Sequence, residues 1–219
     1  RGPFEPRFSE LPGLIPIFPL SGAVLLPGGR LPLNIFEPRY LSMVRDAIAS
    51  PHRLIGMIQS YNDADEQGKA GTLYDVGCAG RISSFSETDD GRVMITLSGT
   101  TRFRRLDDHE VEDGYFRAQV SWADFEADLT PVTDTIQRDH LVSVLHDYFK
   151  IKGFTANWDQ LDECEDERLV TTLSMICPFD VPEKQALLEA ASLPDRAQLL
   201  IAILEMASHS ESDETGARH

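Results

Sequence analysis

Residues 15–45 read IPIFPLSGAVLLPGGRLPLNIFEPRYLSMVR, three short apolar runs broken by prolines that lead straight into a helix start. Ile15, Ile17 and Leu20 form the first run, Val24 to Leu26 the second, and Leu31, Leu33 and Ile35 the third, where they alternate with Pro32 and Asn34. Alternation with a period of two is the pattern of a strand with one buried face, so the runs are read as short strands. Pro16, Pro19, Pro27 and Pro32 each remove a backbone donor. Strands carrying them must lie at edges or bend sharply, which predicts a small curled barrel instead of a flat central sheet. Glu37 and Pro38 then open a helix whose stripe is Leu41, Val44, Ala47 and Ile48, and Ser50-Pro51 stops it.

Working outward, LIGMI (54–58) reads as a buried strand and Tyr61 to Gly71 as a long exposed loop. From Val76 to about Trp122 an antiparallel meander is expected, with Val93, Ile95 and Leu97 alternating after the turn signal Asp89-Asp90-Gly91. Phe116, Ala118, Val120 and Trp122 alternate with Tyr115, Arg117, Gln119 and Ser121, so this strand should close the sheet. The acidic run from Asp107 to Asp113 reads as a solvated connection.

Beyond Asp124 the period becomes helical. Ile136, Leu141, Val144, Leu145 and Tyr148 make one stripe; Leu169, Leu173, Ile176 and Cys177 make a second; Leu199, Leu200, Ile203 and Leu204 make a third. Asp180 with Glu183, and Ser192 with Asp195, have the spacing of reciprocal caps at helix starts. Four helices are expected. The division that follows is a β-rich subdomain over 1–123, a helical bundle over 124–208 and a disordered tail over 209–219, too polar to bury anything.

Composition narrows the function. The 219 residues are 42% hydrophobic and carry a formal charge of -16. Residues 1–120 hold 13 Lys+Arg against 16 Asp+Glu, whereas residues 121–219 hold 7 against 20. A protein that grips phosphate backbones needs a basic surface, so nucleic acid is a disfavoured partner. Arg102, Arg104 and Arg105 read as a salt-bridged strand edge before they read as a phosphate site. Three cysteines with no CxxC pair predict neither a disulfide framework nor a zinc knuckle, which fits a cytoplasmic location. Cys177 reads as a core residue, and the thiolate of Cys164, amid acids, is disfavoured. No apolar run approaches the roughly 20 residues of a membrane span.

Chemistry-bearing patterns are missing where they would be needed. Gly68-Lys69 is followed by Ala70, so there is no phosphate loop ending in Gly-Lys-Ser or Gly-Lys-Thr. His140 and His146 are six apart and fall on different helix faces, and neither HExxH nor a Cys/His quartet occurs. The acids from Asp159 to Glu167 lack the spacing of a calcium loop and read as a solvated stretch. No catalytic, cofactor-binding or metal-ligating residue is therefore singled out.

FPL (18–20), VLLPG (24–28), LPLNIFEPRY (31–40), Gly77, DGRVMITLSGTTRFRRL (90–106), GYFRAQVSW (114–122), EKQALLE (183–189) and DRAQLLIAILE (195–205) occur in this order. Together they resemble the N-terminal domain of the Lon protease family over roughly residues 12 to 207. The resemblance implies an α+β fold, a PUA-like β pseudo-barrel followed by an α-helical bundle, used in the full protease to recognise protein substrates and not to cut them. The family's peptidase pairs a serine with a lysine, and none of Lys69, Lys150, Lys152 and Lys184 stands in a resembling setting.

The expectation is thus a stand-alone, non-catalytic module that binds unfolded or extended polypeptide segments, with a protease or chaperone as a further partner. RNA binding by the barrel and small-molecule binding in a barrel–bundle cleft are the alternatives. Phe18, Phe36, Tyr40, Phe103, Tyr115, Phe116 and Trp122 converge in the β half; each alone reads as core, and an exposed subset would form a peptide groove. No individual residue is assigned to peptide contact.

Overall fold

A computed structural model describes residues 6–61, 73–110 and 114–216, with backbone alone for 108–110 and 210–216. The loop expected over Tyr61 to Gly71 lies, apart from Tyr61, outside the described residues. The chain forms two compact units, one comprising Arg1–Pro131 with Pro178–Leu188, the other Val132–Cys177 with Glu189–His219.

The first unit is built on six strands, β1 (Leu14–Pro19), β2 (Arg30–Ile35), β3 (Leu54–Ile58), β4 (Val76–Glu87), β5 (Val93–Glu110) and β6 (Phe116–Ser121), with α1 (Pro38–Ala49) between β2 and β3. The sheet order is β2-β5-β4-β3-β1-β6, and β5 also pairs with β6. Strands β1, β3, β4, β5 and β6 therefore close on themselves, and β2 lies outside this ring against the first part of β5. The expected curled barrel is present. Its prolines sit where a lost donor does least harm: Pro32 is in the outer strand β2, and Pro16 precedes Ile17, where pairing of β1 with β3 begins.

Inside the ring, Ile15, Ile17, Leu54, Ile58, Ala79, Phe103, Ala118, Val120 and Trp122 form one buried cluster. Phe103 fills the centre because its neighbours are small. A Cβ on Gly77 would stand 2.5 Å from both the Met57 carbonyl oxygen and the Phe103 ring. The Trp122 ring meets Phe103 edge-on, centroids 6.0 Å apart, while its indole N–H donates to the Pro12 carbonyl at 2.9 Å.

Several expectations need correction. Val24 to Leu26 is buried but not a strand. Its backbone turns at Gly28 (φ 75°), where Gly28 N–H donates to Gly99 and Gly99 N–H to Gly29. A Cβ on Gly99 would lie 2.0 Å from the Leu26 carbonyl oxygen, so this crossing requires glycine. Asp107 to Glu110, expected as a solvated connection, continues β5 opposite Phe116–Gln119 after a bulge at Leu106. The buried face of α1 is Tyr40, Met43, Val44 and Ala47, with Leu41 and Ile48 only half-buried.

The unit does not end at residue 123. A 3-10 helix, Ala123–Leu129, buries Phe125 and Leu129 and brings Asp128 onto Arg102. The Arg102 guanidinium donates Nη2–H to Oδ1 at 2.8 Å and Nε–H to Oδ2 at 2.9 Å, and the Arg102 backbone N–H also donates to Oδ2 at 2.9 Å. Helix α5 (Val181–Glu189) belongs to this unit through Leu188. Lys184 Nζ donates to the Gly22 carbonyl at 2.7 Å, Gln185 Nε2 to the Val76 carbonyl at 3.0 Å, and Arg102 Nη1 to the Leu188 carbonyl at 3.1 Å. Gln59 Nε2 donates to Gln185 Oε1 at 3.1 Å. These buried donors are paired, which is the condition on which burial costs little, while Gln59 Oε1 is buried without a hydrogen-bond partner.

The second unit comprises α2 (Arg138–Lys152), α3 (Trp158–Asp162), α4 (Asp166–Ile176) and α6 (Leu193–Gly216). With α5 the described residues after Asp124 hold five α-helices, one more than expected, because the short α3 has no periodic stripe. Both cap pairs form: Asp180 N–H donates to Glu183 Oε2 at 2.8 Å, and Asp195 N–H to Ser192 Oγ at 3.2 Å. Helix α6 runs on to Gly216, through most of the stretch expected to be a disordered tail.

Candidate functional site

Most of the aromatic residues weighed for a peptide groove turn inward. Phe18, Tyr40, Phe103, Tyr115 and Trp122 are buried and Phe116 is half-buried, so the core reading holds for them. Phe36 is the exception at 61% exposure, and the Arg92 guanidinium lies 5.9 Å from its ring centroid. Met94 and Phe85 are also exposed on the strands that flank it, a thin apolar strip without depth.

A second apolar surface lies in the helical unit, around a segment of which only the acids from Asp159 to Glu167 are read from sequence, as a solvated stretch. Gly153, in the left-handed conformation (φ 69°), ends α2 and sends the chain back, so that Phe154 N–H donates to the Phe149 carbonyl at 2.9 Å. The Phe154 ring then meets Phe149 nearly at right angles, 5.7 Å between centroids, and Trp158 lies 5.7 Å from Phe149 on another side. Asn157 caps α3 by accepting the Gln160 N–H at 3.3 Å. Arg138 ties α3 and α4 to α2, donating to Asp166 Oδ1 at 2.6 Å and to the carbonyls of Leu161 at 2.7 Å and Asp162 at 3.0 Å.

Between these elements is an open groove of about 980 Å³. Leu169 and Leu173 of α4 form a buried floor, and Phe149 and Leu161 line it. Phe154, 45% exposed, and Ile176, 66% exposed, stand on its walls. Asn157, Gln160, Glu163 and Arg168 supply polar groups. A concave apolar floor with a few polar groups at the rim suits a bulky apolar side chain carried by an otherwise solvated ligand. The signal that marked this site was the density of aromatics, Phe149, Phe154 and Trp158, around a helix-ending Gly153.

The residues weighed for chemistry are kept apart or committed elsewhere. His140 Nε2 lies 3.2 Å from Glu205 Oε1, whereas His146 stacks on Trp158 with centroids 4.2 Å apart. Arg104 pairs with Asp124 at 3.0 Å, and Arg105 donates to the Leu73 carbonyl at 3.1 Å and reaches Asp75 at 3.4 Å. With Arg102 held by Asp128, the three arginines are salt-bridged as expected, but not at an edge, because β5 is paired on both sides. Cys78 and Cys177 are buried and Cys164, half-buried, faces the groove. Among the described residues no group of three or more His, Cys, Asp or Glu is placed to hold a metal ion, and no helix is long and apolar enough to cross a membrane.

Comparison with known proteins identifies the architecture. The family model of the ATP-dependent protease La (LON) substrate-binding domain matches residues 14–206. Lon protease of Flavobacterium johnsoniae is 26% identical over 199 residues, 88% of this chain and 24% of that protein. Lon protease 1 of Bdellovibrio bacteriovorus is 26% identical over 215 residues, 96% of this chain and 27% of the relative. The chain thus spans about a quarter of the length of these relatives. The crystal structure of a Lon N-terminal domain protein from Xanthomonas campestris superposes with a TM-score of 0.60 at 27% identity, covering 86% of this chain and 97% of that one. The N-terminal domain of Mycobacterium avium complex Lon protease, at 14% identity and a TM-score of 0.58, covers 88% and 98% and shows the same fold.

Proposed function

Because the chain belongs to the family of LON substrate-binding domains, we propose that it recognises extended or unfolded polypeptide segments and holds them without cutting them. The observation that carries this reading is the family match, which runs through both compact units and takes in the residues of the groove. The groove supports it independently, being apolar at its floor, open at one side and polar at its rim, as a surface for short stretches of main chain with bulky side chains has to be. The non-catalytic part of the reading rests on the residues themselves. The sequence has no nucleotide loop, and no lysine stands in the setting of a serine–lysine peptidase. Delivery of the held segment to a protease or chaperone, as an adaptor would perform it, is a second step of the same proposal.

Titrating the protein into a fluorescently labelled, permanently unfolded protein, such as reduced and carboxymethylated α-lactalbumin, tests this by anisotropy. Saturable binding with the labelled chain intact on a gel, and no dependence on ATP, is the expected result. Failure to bind any of a panel of unfolded proteins, or cleavage by the purified chain alone, would overturn the reading.

A further inference from the structure

We propose that the outer edge of β4 joins a second copy of this chain in an antiparallel, two-fold pairing centred on Phe85. From Ile82 to Glu87, apart from the bulge at Ser83, β4 pairs with β5 on one side. On its other side the pairing with β3 stops at Arg81, and the Ile82 N–H donates to the Arg53 carbonyl at 2.9 Å. Beyond that point the strand has an open edge, and Ser83 to Glu87 are all exposed. The turn fixes which backbone groups point outward. Thr88 N–H donates to the Arg92 carbonyl at 3.0 Å, and such pairs alternate along an antiparallel ladder, so Ser86 and Ser84 face β5 while Phe85 and Glu87 turn their N–H and C=O outward. Among the described residues no other element supplies a backbone partner to these groups.

The opposite edge of the same ribbon, along β2, is guarded. Gly99 N–H donates to the Gly29 carbonyl at 2.8 Å, and the same alternation turns Arg30, Pro32 and Asn34 outward. Pro32 therefore removes the middle donor from that edge and leaves a gap in any strand added there. On β4, ISSFS (82–86) contains neither proline nor charge. An edge lacking both guards is the kind that accepts another strand.

The segment's fit to itself selects a copy over an unrelated strand. Two chains of formal charge -16 repel, so a contact between them has to fall where charge is absent or complementary. With the axis at Phe85, its N–H and C=O exchange bonds with the copy's Phe85, and the two rings lie side by side. Ser84 then stands opposite the copy's Ser86, Ser83 opposite Glu87, and the chain beyond brings Arg81 toward Asp89. No like charges meet. Moving the axis to Glu87 would set two carboxylates against each other, which destabilises a cross-strand pair. A shift the other way is blocked because Ile82 is already held by Arg53. The contact is isologous and closes at two chains, and its short length makes the dimer a weak one.

Sedimentation velocity of the full chain over a wide range of protein concentration, with hydrogen exchange read at low and high concentration, tests this. A reversible monomer–dimer equilibrium is expected, with exchange over residues 83–87 slowing as dimer forms. Phe85→Lys, at a side chain 54% exposed and so dispensable to the fold, should raise the dimer dissociation constant about tenfold or more. Phe36→Lys, at a similarly exposed aromatic off β4, should leave it unchanged. A chain that stays monomeric at every concentration would overturn the inference, as would a dimer weakened equally by both substitutions. Protection that rises with concentration elsewhere, over residues 149–176 for example, would give the interface to another surface. Slower exchange over 83–87 only when an unfolded polypeptide is added would give the edge to a client, and either result ends the proposal.

Discussion

The barrel unit and the helical unit use the same kinds of residue to opposite ends. In the barrel unit Phe18, Tyr40, Phe103, Tyr115 and Trp122 turn inward, and its buried polar groups, Arg102, Gln59, Lys184 and Gln185, all donate to partners within the unit. In the helical unit Phe154 and Ile176 stand exposed on an open groove. Both arrangements come from one constraint, that a side chain is stabilising only where its surface and its charges find partners. A unit that satisfies its groups internally makes a rigid support. One that leaves some unsatisfied presents them to a ligand.

The largest test of this contrast is a cut after Ala123, where the β-rich half was expected to end. It removes Asp128, Phe125, Leu129 and α5, and with them the carboxylate of Arg102 and the groups that pack on its guanidinium. Losing one partner of such a pair costs about 3–5 kcal/mol, comparable to the whole stability of a small domain. Residues 1–123 alone are expected to show no cooperative urea transition by circular dichroism, whereas the full chain does. Next in size is Phe103→Ala, which empties the centre of the ring and should cost about 3–5 kcal/mol in chemical denaturation. Ile176→Ser should change stability by no more than about 0.5 kcal/mol, yet weaken binding of unfolded polypeptide several-fold. A loss of stability there equal to that of Phe103→Ala would erase the distinction between the units.

The smallest effect concerns the β4–β5 turn. The Thr88 hydroxyl donates to Asp90, which, against the opposing effect of desolvation and with Arg92 alongside, holds that carboxyl below its ordinary value of 3.8. A carboxylate favoured in the folded state contributes above the unfolded value and loses that contribution as pH falls through the lower folded one. Asp90→Asn should therefore leave stability at neutral pH nearly unchanged and flatten slightly its decline below about pH 4, as measured by thermal melts across that range.

Much of the barrel was legible because its strands are periodic. Ile15 and Ile17, and Val93, Ile95 and Leu97, each repeat at two, Leu54–Ile58 is a continuous apolar run, and Pro32 marked an outer strand, whereas Pro16 and Pro19 lie in β1, which is paired on both sides. The cap pairs at Asp180 and Ser192 were legible for the same local reason. What escaped were contacts made across long stretches of chain. Lys184 and Gln185 look like solvent-facing helix positions, and only the carbonyls of Gly22 and Val76 explain why they are buried. Val24 to Leu26 has strand-like composition but is fixed by Gly99, more than seventy residues away in the chain. The groove escaped because it is built from a loop, a one-turn helix and helix ends, none of which repeats, and because aromatics were sought in the β half alone.

Hydrogen–deuterium exchange with and without a saturating unfolded polypeptide tests the central division most directly. Slower exchange over residues 149–176, with the strands of the barrel unchanged, is the predicted result. Protection confined to the barrel, with the groove exchanging as in the free protein, would contradict it.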